Sequence, residues 1–267
     1  MELSTIHSNN LDHAKAHKLL NAVIYGKSDD YILSLVDNQN INYYFDYSDC
    51  TILCQVLKDN NENLALKLLN NPFINLNIES GIKTATVPSH PMMLSCRQGL
   101  DKVALKIIDK LTSADYPYDK FNINYRDKFN NSFLILSCCY DTINVINKLL
   151  QLNCDIDIIN NYNFTALSIS CKNGLINTSL KLIKKGCNID TPNINNYTAL
   201  IYATLNKLYK VIFKLLNKKA DVTIRTLSEG KLYKDTYCNL TFFDSAIKYN
   251  QHTVLKYYYL GEILNNK

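Results

Sequence analysis

Short apolar runs separated by polar linkers recur along this chain at a fixed spacing. The spacing is marked by polar residues that directly follow an isoleucine or valine: Asn42, Asn75, Asn124, Asp157, Asp190 and Thr223. The residue numbers of successive markers differ by 33, except that the step from Asn75 to Asn124 is 49. A second series, Ser132, Thr165 and Thr198, has the same period of 33. A period of this length indicates a chain built from stacked repeats rather than from conventional domains.

The clearest copy of the repeat predicts two short helices joined by a turn. Thr165 suits a helix N-cap, because its hydroxyl can accept a backbone N–H that the first turn leaves unpaired. Small and apolar residues then share one helical face at Leu167, Ser170 and Cys171. The pair at 173–174, Asn-Gly, tolerates the left-handed conformation that ends a helix. A second apolar side follows at Leu180, Leu182 and Ile183, and Gly186 ends that helix.

The next copy repeats these features with Thr198, Leu200, a Leu215-Leu216 pair and Ala220-Asp221-Val222. At this point the chain resembles the ankyrin-repeat family, whose units carry a Thr-Pro-Leu-His start, an Asn-Gly turn, a Leu-Leu pair and a Gly-Ala-Asp-Ile-Asn end. The family's Pro is replaced by Ala166 and Ala199, and its His by Ser168 and Ile201. The resemblance implies an all-α fold, a solenoid of stacked helix-turn-helix units with short hairpin-like loops.

The same register extends in weaker form over nearly the whole chain, so we expect one ankyrin-repeat array over residues 1–267. It contains about seven units, at 15–43, 46–77, 88–124, 127–157, 160–190, 193–223 and 237–264. Insertions interrupt the period at 78–89, 112–121 and 227–238. Such insertions map to loops, often on the binding face. The alternative is tolerated drift, since doubling a surface loop costs only about 0.6 kcal/mol.

Catalytic and metal-binding chemistry finds no support in the sequence. Several of the nine cysteines follow the repeat, as Cys154 and Cys187 do, and no Cys-x-x-Cys pair occurs. An odd cysteine count without an apolar N-terminal signal fits a reducing, cytoplasmic location. Among the histidines, His90 occupies a helix start, where we expect a buried or capping role. We therefore predict no enzyme, no cofactor, no metal ligand and no small-molecule substrate.

The net charge of +5 and the nineteen tyrosines raise nucleic acid as a partner. The lysines, however, recur on the second helices at 181, 184, 185, 210, 214, 218 and 219. Such a stripe is typical of the solvated outer face of a helix. Binding to nucleic acid is therefore the remoter alternative. No apolar run approaches the roughly 18 residues that span a bilayer, so no membrane contact is expected. We expect a monomer.

The ankyrin resemblance implies a protein partner bound on a concave surface of first helices and loop tips. We define the tips as residues 126–130, 159–163 and 192–196. The candidate binding residues there are Arg126, Lys128, Phe129, Asn130, Asn161, Tyr162, Asn163, Asn195, Asn196 and Tyr197. The aromatic ones would be anchors, since large rigid side chains dominate interface energies. The alternative is that Tyr162 and Tyr197 pack between neighbouring tips.

The abundance of Asn, Lys, Ile and Tyr is similar to that of ankyrin proteins from large AT-rich DNA viruses, namely giant viruses and poxviruses. This similarity implies a protein that acts on host factors in the host cytoplasm. A substrate adaptor for a ubiquitin ligase is the second hypothesis. The F-box-like segment of the poxvirus type is not expected, because only residues 261–267 follow the last predicted helix.

Overall fold

The computed structural model describes residues 2–45, 48–78, 90–118, 121–227 and 240–265. They belong to two compact units, which we call unit 1 (residues 1–128) and unit 2 (residues 129–267). Unit 1 contains α1 (Glu2–Ile24), α2 (Asp29–Ser34), β1 (Tyr44–Phe45), β2 (Cys50–Thr51), α3 (Ile52–Lys58), α4 (Glu62–Leu68), α5 (Pro91–Arg97) and α6 (Asp101–Leu111). Unit 2 contains α7 (Phe133–Cys139), α8 (Ile143–Gln151), α9 (Ala166–Lys172), α10 (Ile176–Lys185), α11 (Ala199–Leu205), α12 (Tyr209–Asn217), α13 (Phe242–Lys248) and α14 (His252–Asn265).

From α3 onward, the first helix of each repeat starts at a side-chain cap. Thr165 Oγ1 accepts the Ser168 N–H at 3.1 Å, and Ser168 Oγ in turn accepts the Thr165 N–H at 2.9 Å. Serine or threonine hydroxyls also accept a backbone N–H at the starts of α3, α7, α11 and α13, and the bond is reciprocated at α13. His90 caps α5, where its Nδ1 accepts the Met92 N–H at 3.1 Å. These caps fix where each repeat begins.

A residue with positive φ ends each first helix and turns the chain into the second helix. Glycine takes this place at Gly99 (φ 69°) and Gly174 (φ 76°). Lys207 (φ 55°) occupies the place of Gly174 in the following repeat. A lysine in this conformation is uncommon and costs more than a glycine does. The turn geometry is therefore kept even where the residue type that favours it is lost.

The core lies between the paired helices and between neighbouring repeats. The first helices are almost entirely buried, as residues 166–171 of α9 are. The second helices bury only one side; α10 buries Thr178, Ser179, Leu182 and Ile183. Leu180, which the sequence pattern placed on the apolar side, is instead half-buried toward the exterior. Fewer apolar residues of α10 face the core than predicted, because Thr178 and Ser179 occupy two of its four buried positions.

The isoleucine-led polar markers link one repeat to the next. Asp157 Oδ1 accepts the Asn188 N–H at 2.8 Å, and Asp190 Oδ1 accepts the Asp221 N–H at 2.9 Å. In unit 1, Asn42 Oδ1 accepts the Asn75 N–H at 2.6 Å. The partners in each pair are 31 or 33 residues apart. The period thus has a structural cause at these three markers, each of which satisfies a backbone donor of the following repeat.

Of the predicted insertions, only the one at 112–121 is largely within the described residues, and its tyrosines bind back to earlier loops of unit 1. Tyr116 Oη accepts the Leu76 N–H at 2.7 Å, and Tyr118 Oη donates to the Phe73 carbonyl at 2.6 Å. Burial raises the pKa of Tyr116 to about 12, so its hydroxyl is protonated at neutral pH. Except for Ile78 and Leu227, the insertions at 78–89 and 227–238 lie outside the described residues.

Candidate partner-binding surface

In unit 2, consecutive tips are joined by backbone hydrogen bonds that repeat with the period of the sequence. The Asn161 N–H donates to the Phe129 carbonyl at 2.9 Å. An equivalent bond joins the next tip, from Ile194 to Tyr162 at 3.1 Å. Leu227, 33 residues after Ile194, donates in the same way to Asn195 at 3.0 Å, and we count it as part of a fourth tip. Each bond ties one loop to the next, so the unit 2 tips form a continuous row rather than independent loops.

A buried asparagine at the base of each tip holds its internal shape. Asn160 Oδ1 accepts the N–H groups of Tyr162 and Phe164, both at 3.0 Å. Asn193, its equivalent in the next repeat, accepts those of Asn195 at 3.0 Å and Tyr197 at 2.9 Å. In unit 1, Asp127 has the same register and forms a salt bridge to Arg97 at 2.9 Å, with its side chain fully buried. These buried polar groups order the tips before any partner binds.

The tips also contain asparagines in the left-handed conformation. Asn130, Asn163 and Asn196 have φ values of 58°, 56° and 59°. Asparagine adopts this conformation more readily than other non-glycine residues. Asn130 additionally donates from Nδ2 to Asn161 Oδ1 at 2.7 Å, which adds a side-chain link between two tips. These asparagines therefore help to shape the tips.

The predicted candidates differ in their exposure. Exposed ones are Arg126, Lys128, Asn130, Asn161, Tyr162 and Asn163, whereas Phe129, Asn195, Asn196 and Tyr197 are half-buried. Among the three aromatic candidates, only Tyr162 is largely exposed, at 52%. It is therefore the side chain of this set that best fits an anchor.

Tyr197 belongs to an aromatic row that runs between repeats. Its ring stacks on Tyr202 of α11 with centroids 5.2 Å apart, and Tyr202 lies 6.0 Å from Phe164 of the preceding repeat. Lys172 Nζ lies 5.0 Å from the centroid of the Phe164 ring. Tyr197 thus packs against a first helix, which is neither the role of an anchor nor the packing between neighbouring tips that was the alternative. Sequence reasoning missed Phe164 and Tyr202, although Phe164 and Tyr197 occupy the same position in successive repeats.

Aliphatic side chains on the tips are a second feature that was not singled out from the sequence. Ile194 is 48% exposed and Leu227 is 50% exposed, and both donate the backbone bonds that join the tips. Ile159 is also exposed on the same tip as Tyr162. An isoleucine in a repeat sequence normally indicates a core position, and only the conformation of the tip shows that these three face solvent.

Burial favours the uncharged forms of the core cysteines and of His90. Burial raises the pKa of Cys54 to about 11 and that of Cys171 to about 12, and protonated thiols are poor nucleophiles and metal ligands. Burial lowers the pKa of His90 to about 4. Within the described ranges, no three or more His, Cys, Asp or Glu side chains are arranged to hold a metal ion.

Comparison with known families agrees with this architecture. The family described as "Ankyrin repeats (3 copies)" matches residues 92–193 and 134–226, which together span just over half of the chain. The chain therefore belongs to the ankyrin-repeat family, and the all-α fold predicted from the sequence is confirmed. Ankyrin repeats are generic protein–protein interaction modules, and the family is typically non-enzymatic. A search of curated proteins found no significant match. Within the described part of the chain, no helix is both long and apolar enough to cross a bilayer.

Proposed function

We propose that this chain binds a partner protein through the tips of unit 2 and the aromatic row beside them. The observation that carries the proposal is the set of exposed apolar side chains on tips that are hydrogen-bonded to one another: Ile159, Tyr162, Ile194 and Leu227. Single exposed apolar residues need no explanation, but several on adjoining tips form a patch of the kind used for protein contacts.

The order of the tips favours binding because less freedom is lost when a partner docks. A flexible loop must lose conformational entropy on association, which costs about 0.5 to 1.5 kcal/mol for each immobilised side chain. Here Asn160 and Asn193 already fix the loop backbones, and the bonds between tips fix their spacing. The exposed Tyr162 and Ile194 are thus presented in one arrangement, as anchors of a preformed surface.

The test compares proteins recovered by the tagged full-length chain with those recovered by the triple variant Tyr162→Ser, Ile194→Ser, Leu227→Ser. Anchors that each contribute more than about 1 kcal/mol would together lower recovery of a direct partner by at least about tenfold. The matched control is Ile143→Ser, Ile176→Ser, Tyr209→Ser, which removes as many exposed apolar groups from the second helices of unit 2. Equal recovery by wild type and tip variant would refute the proposed surface.

The purification should use lysates of eukaryotic host cells, because the amino-acid composition of this chain is similar to that of ankyrin proteins of large DNA viruses. We propose a host protein as the partner on this basis. The same purification examines the ubiquitin-ligase hypothesis, because an adaptor would recover cullin-ligase subunits in stoichiometric amount. Their recovery by the wild type and by the tip variant alike would assign an adaptor function that does not use the tips.

A further inference from the structure

Three second helices of unit 2, α8, α10 and α12, carry positive charge without any acidic residue. The last second helix, α14, carries both Lys256 and Glu262. In α8, α10 and α12 the charged residues are Lys148, Lys181, Lys184, Lys185, Lys210 and Lys214. The second helices of unit 1 are mixed instead: α4 contains Glu62 and Lys67, and α6 carries Asp101 and Asp109 among its lysines. A solvated outer face needs charge for solubility, but solubility does not require charge of one sign. The uniform sign of α8, α10 and α12 therefore needs another explanation.

These lysines are aligned from one helix to the next. Lys148, Lys181 and Lys214 follow the period of 33, and Lys185 and Lys218 are related by the same period. The helices are neighbours: Lys181 Nζ donates to Asn147 Oδ1 of α8 at 2.6 Å, and α10 packs against α12. Neighbouring helix axes are about 10 Å apart, so the aligned lysines form rows with that spacing. Lys181, Lys184 and Lys214 are all exposed.

The same helices also present an exposed apolar row. Ile143, Ile176 and Tyr209 are the first residues of α8, α10 and α12, and each is more than a third exposed. They too follow the period of 33. Farther along, α14 exposes Tyr257, Tyr259 and Leu260 beside Lys256. This outer surface thus combines lysines with aliphatic and tyrosine side chains, and we call it the basic face of unit 2.

We propose that the basic face of unit 2 binds the surface of an anionic lipid bilayer. Charge complementarity requires an anionic partner, and the exposed isoleucines fit the apolar boundary beneath lipid headgroups. Isoleucine cannot stack on nucleic-acid bases as an aromatic ring does. Protein interfaces favour arginine and are depleted of lysine, and α8, α10 and α12 contain no arginine. Contact with a membrane surface does not need a spanning helix.

Vesicle co-sedimentation with the full-length chain tests this proposal. Wild type should bind phosphatidylcholine vesicles that contain about 30% phosphatidylserine and not vesicles of phosphatidylcholine alone, because the attraction depends on anionic lipid. The variant Lys181→Gln, Lys184→Gln, Lys214→Gln should lower the partition coefficient by at least about tenfold, since each lysine near such a surface contributes about fivefold. Glutamine has about the same helix propensity as lysine, so the variant should keep its helices.

The matched control, Lys58→Gln, Lys172→Gln, Lys248→Gln, removes the same charge from the last residues of first helices α3, α9 and α13. It should bind vesicles as wild type does. The apolar variant Ile143→Ser, Ile176→Ser, Tyr209→Ser should lose the part of the binding that survives about 1 M salt, where charge is screened beyond about 3 Å.

An equal loss of vesicle binding in both lysine variants would overturn the proposal. It would mean that binding depends on the net charge of the protein and not on the basic face of unit 2. So would binding of wild type to single-stranded or duplex oligonucleotides in the absence of vesicle binding, which would make the face a nucleic-acid surface. Equal circular dichroism spectra and urea midpoints among the variants would show that loss of binding does not arise from unfolding. The serine variant of the tips should bind vesicles normally, which separates this surface from the proposed protein-binding one.

Discussion

The two units connect neighbouring repeats in different ways. In unit 2 the tips are joined by backbone bonds that recur once in every repeat, as between Ile194 and Tyr162. In unit 1 the period is broken by the insertions, and side chains from distant segments make the connections. Asn42 donates from Nδ2 to the Phe73 carbonyl at 2.7 Å and to Tyr118 Oη at 3.2 Å. Tyr118 comes from the insertion that follows α6.

This difference shows what regular spacing does for a repeat protein. When the register is constant, a backbone donor of one loop meets a backbone acceptor of the next, and side-chain links such as those of Asp157 and Asp190 recur at the same positions. When the register is lost, the polar backbone groups of the loops still need partners. In unit 1 the hydroxyls of Tyr116 and Tyr118 supply them. The insertion thus has a structural role that the drift hypothesis does not include.

The largest expected effect comes from truncating the buried leucine two residues after a cap in each unit. Leu53 in unit 1 and Leu167 in unit 2 are both at least 98% buried. Replacing either with alanine should lower the free energy of unfolding by about 2 to 5 kcal/mol, because a cavity adds to the lost apolar contacts. Hydrogen exchange should accelerate chiefly in the unit that carries the change, since repeats contact only their neighbours.

The control for this pair is Ile143→Ala, an exposed position where a change should stay within about 0.5 kcal/mol. A loss of that small size for Leu167→Ala would contradict the register assigned to unit 2. Equal acceleration of exchange in both units for Leu53→Ala would show that the units unfold together. The units would then differ in the contacts that link their repeats but not in their stability.

The second prediction concerns pH and is confined to unit 1. Burial lowers the pKa of His90 to about 4, from 6.5 in an unperturbed histidine. Between these pH values the unfolded chain binds a proton at this site and the folded chain does not, so stability falls as pH falls through that window. The loss should reach about 3 kcal/mol at pH 4. Protonation would also remove the Nδ1 acceptor that caps α5.

Urea unfolding at a series of pH values measures this effect, with His90→Asn as the matched control. Asparagine is a good cap residue and does not titrate, so the variant should keep α5 while losing most of the pH dependence between 6.5 and 4. Exchange in unit 2 should change little over that range. Identical pH profiles for the two proteins would mean that His90 is not the group responsible.

The fold followed from the sequence because its signals are local. A threonine cap such as Thr165 and the turn at Gly174 act over a few residues, and their period places each helix. Tyr116 and Tyr118 gave no such signal, since they bind loops about 40 residues away through single hydroxyl groups. Nothing in a sequence pattern identifies the partner of one hydroxyl at that distance.

The sequence predicted where the candidate site lies, but it predicted only some of the residues that are exposed there. The tips were recognised as the segments between helix pairs, and Tyr162 is exposed there. Tyr197 is instead drawn into the row with Tyr202, because an aromatic ring gains more by stacking than by facing water. Ile194 and Leu227 were missed as anchors, since the exposure of an aliphatic residue depends on a loop conformation that residue type does not indicate.

The smallest expected effect tests the difference between the two kinds of connection. Asn42→Ala and Tyr118→Phe in unit 1 should each lower stability by about 1 kcal/mol, the usual contribution of a hydrogen bond. Because these side chains bond to each other and share the Phe73 carbonyl, the double variant should depart from additivity by at least about 0.5 kcal/mol. In unit 2, Asn173→Ala and Asp190→Ala remove links that share no partner, so their effects should add. Urea unfolding of both double-mutant cycles measures the coupling, and an additive cycle in unit 1 would show that its connections act as independently as those of unit 2.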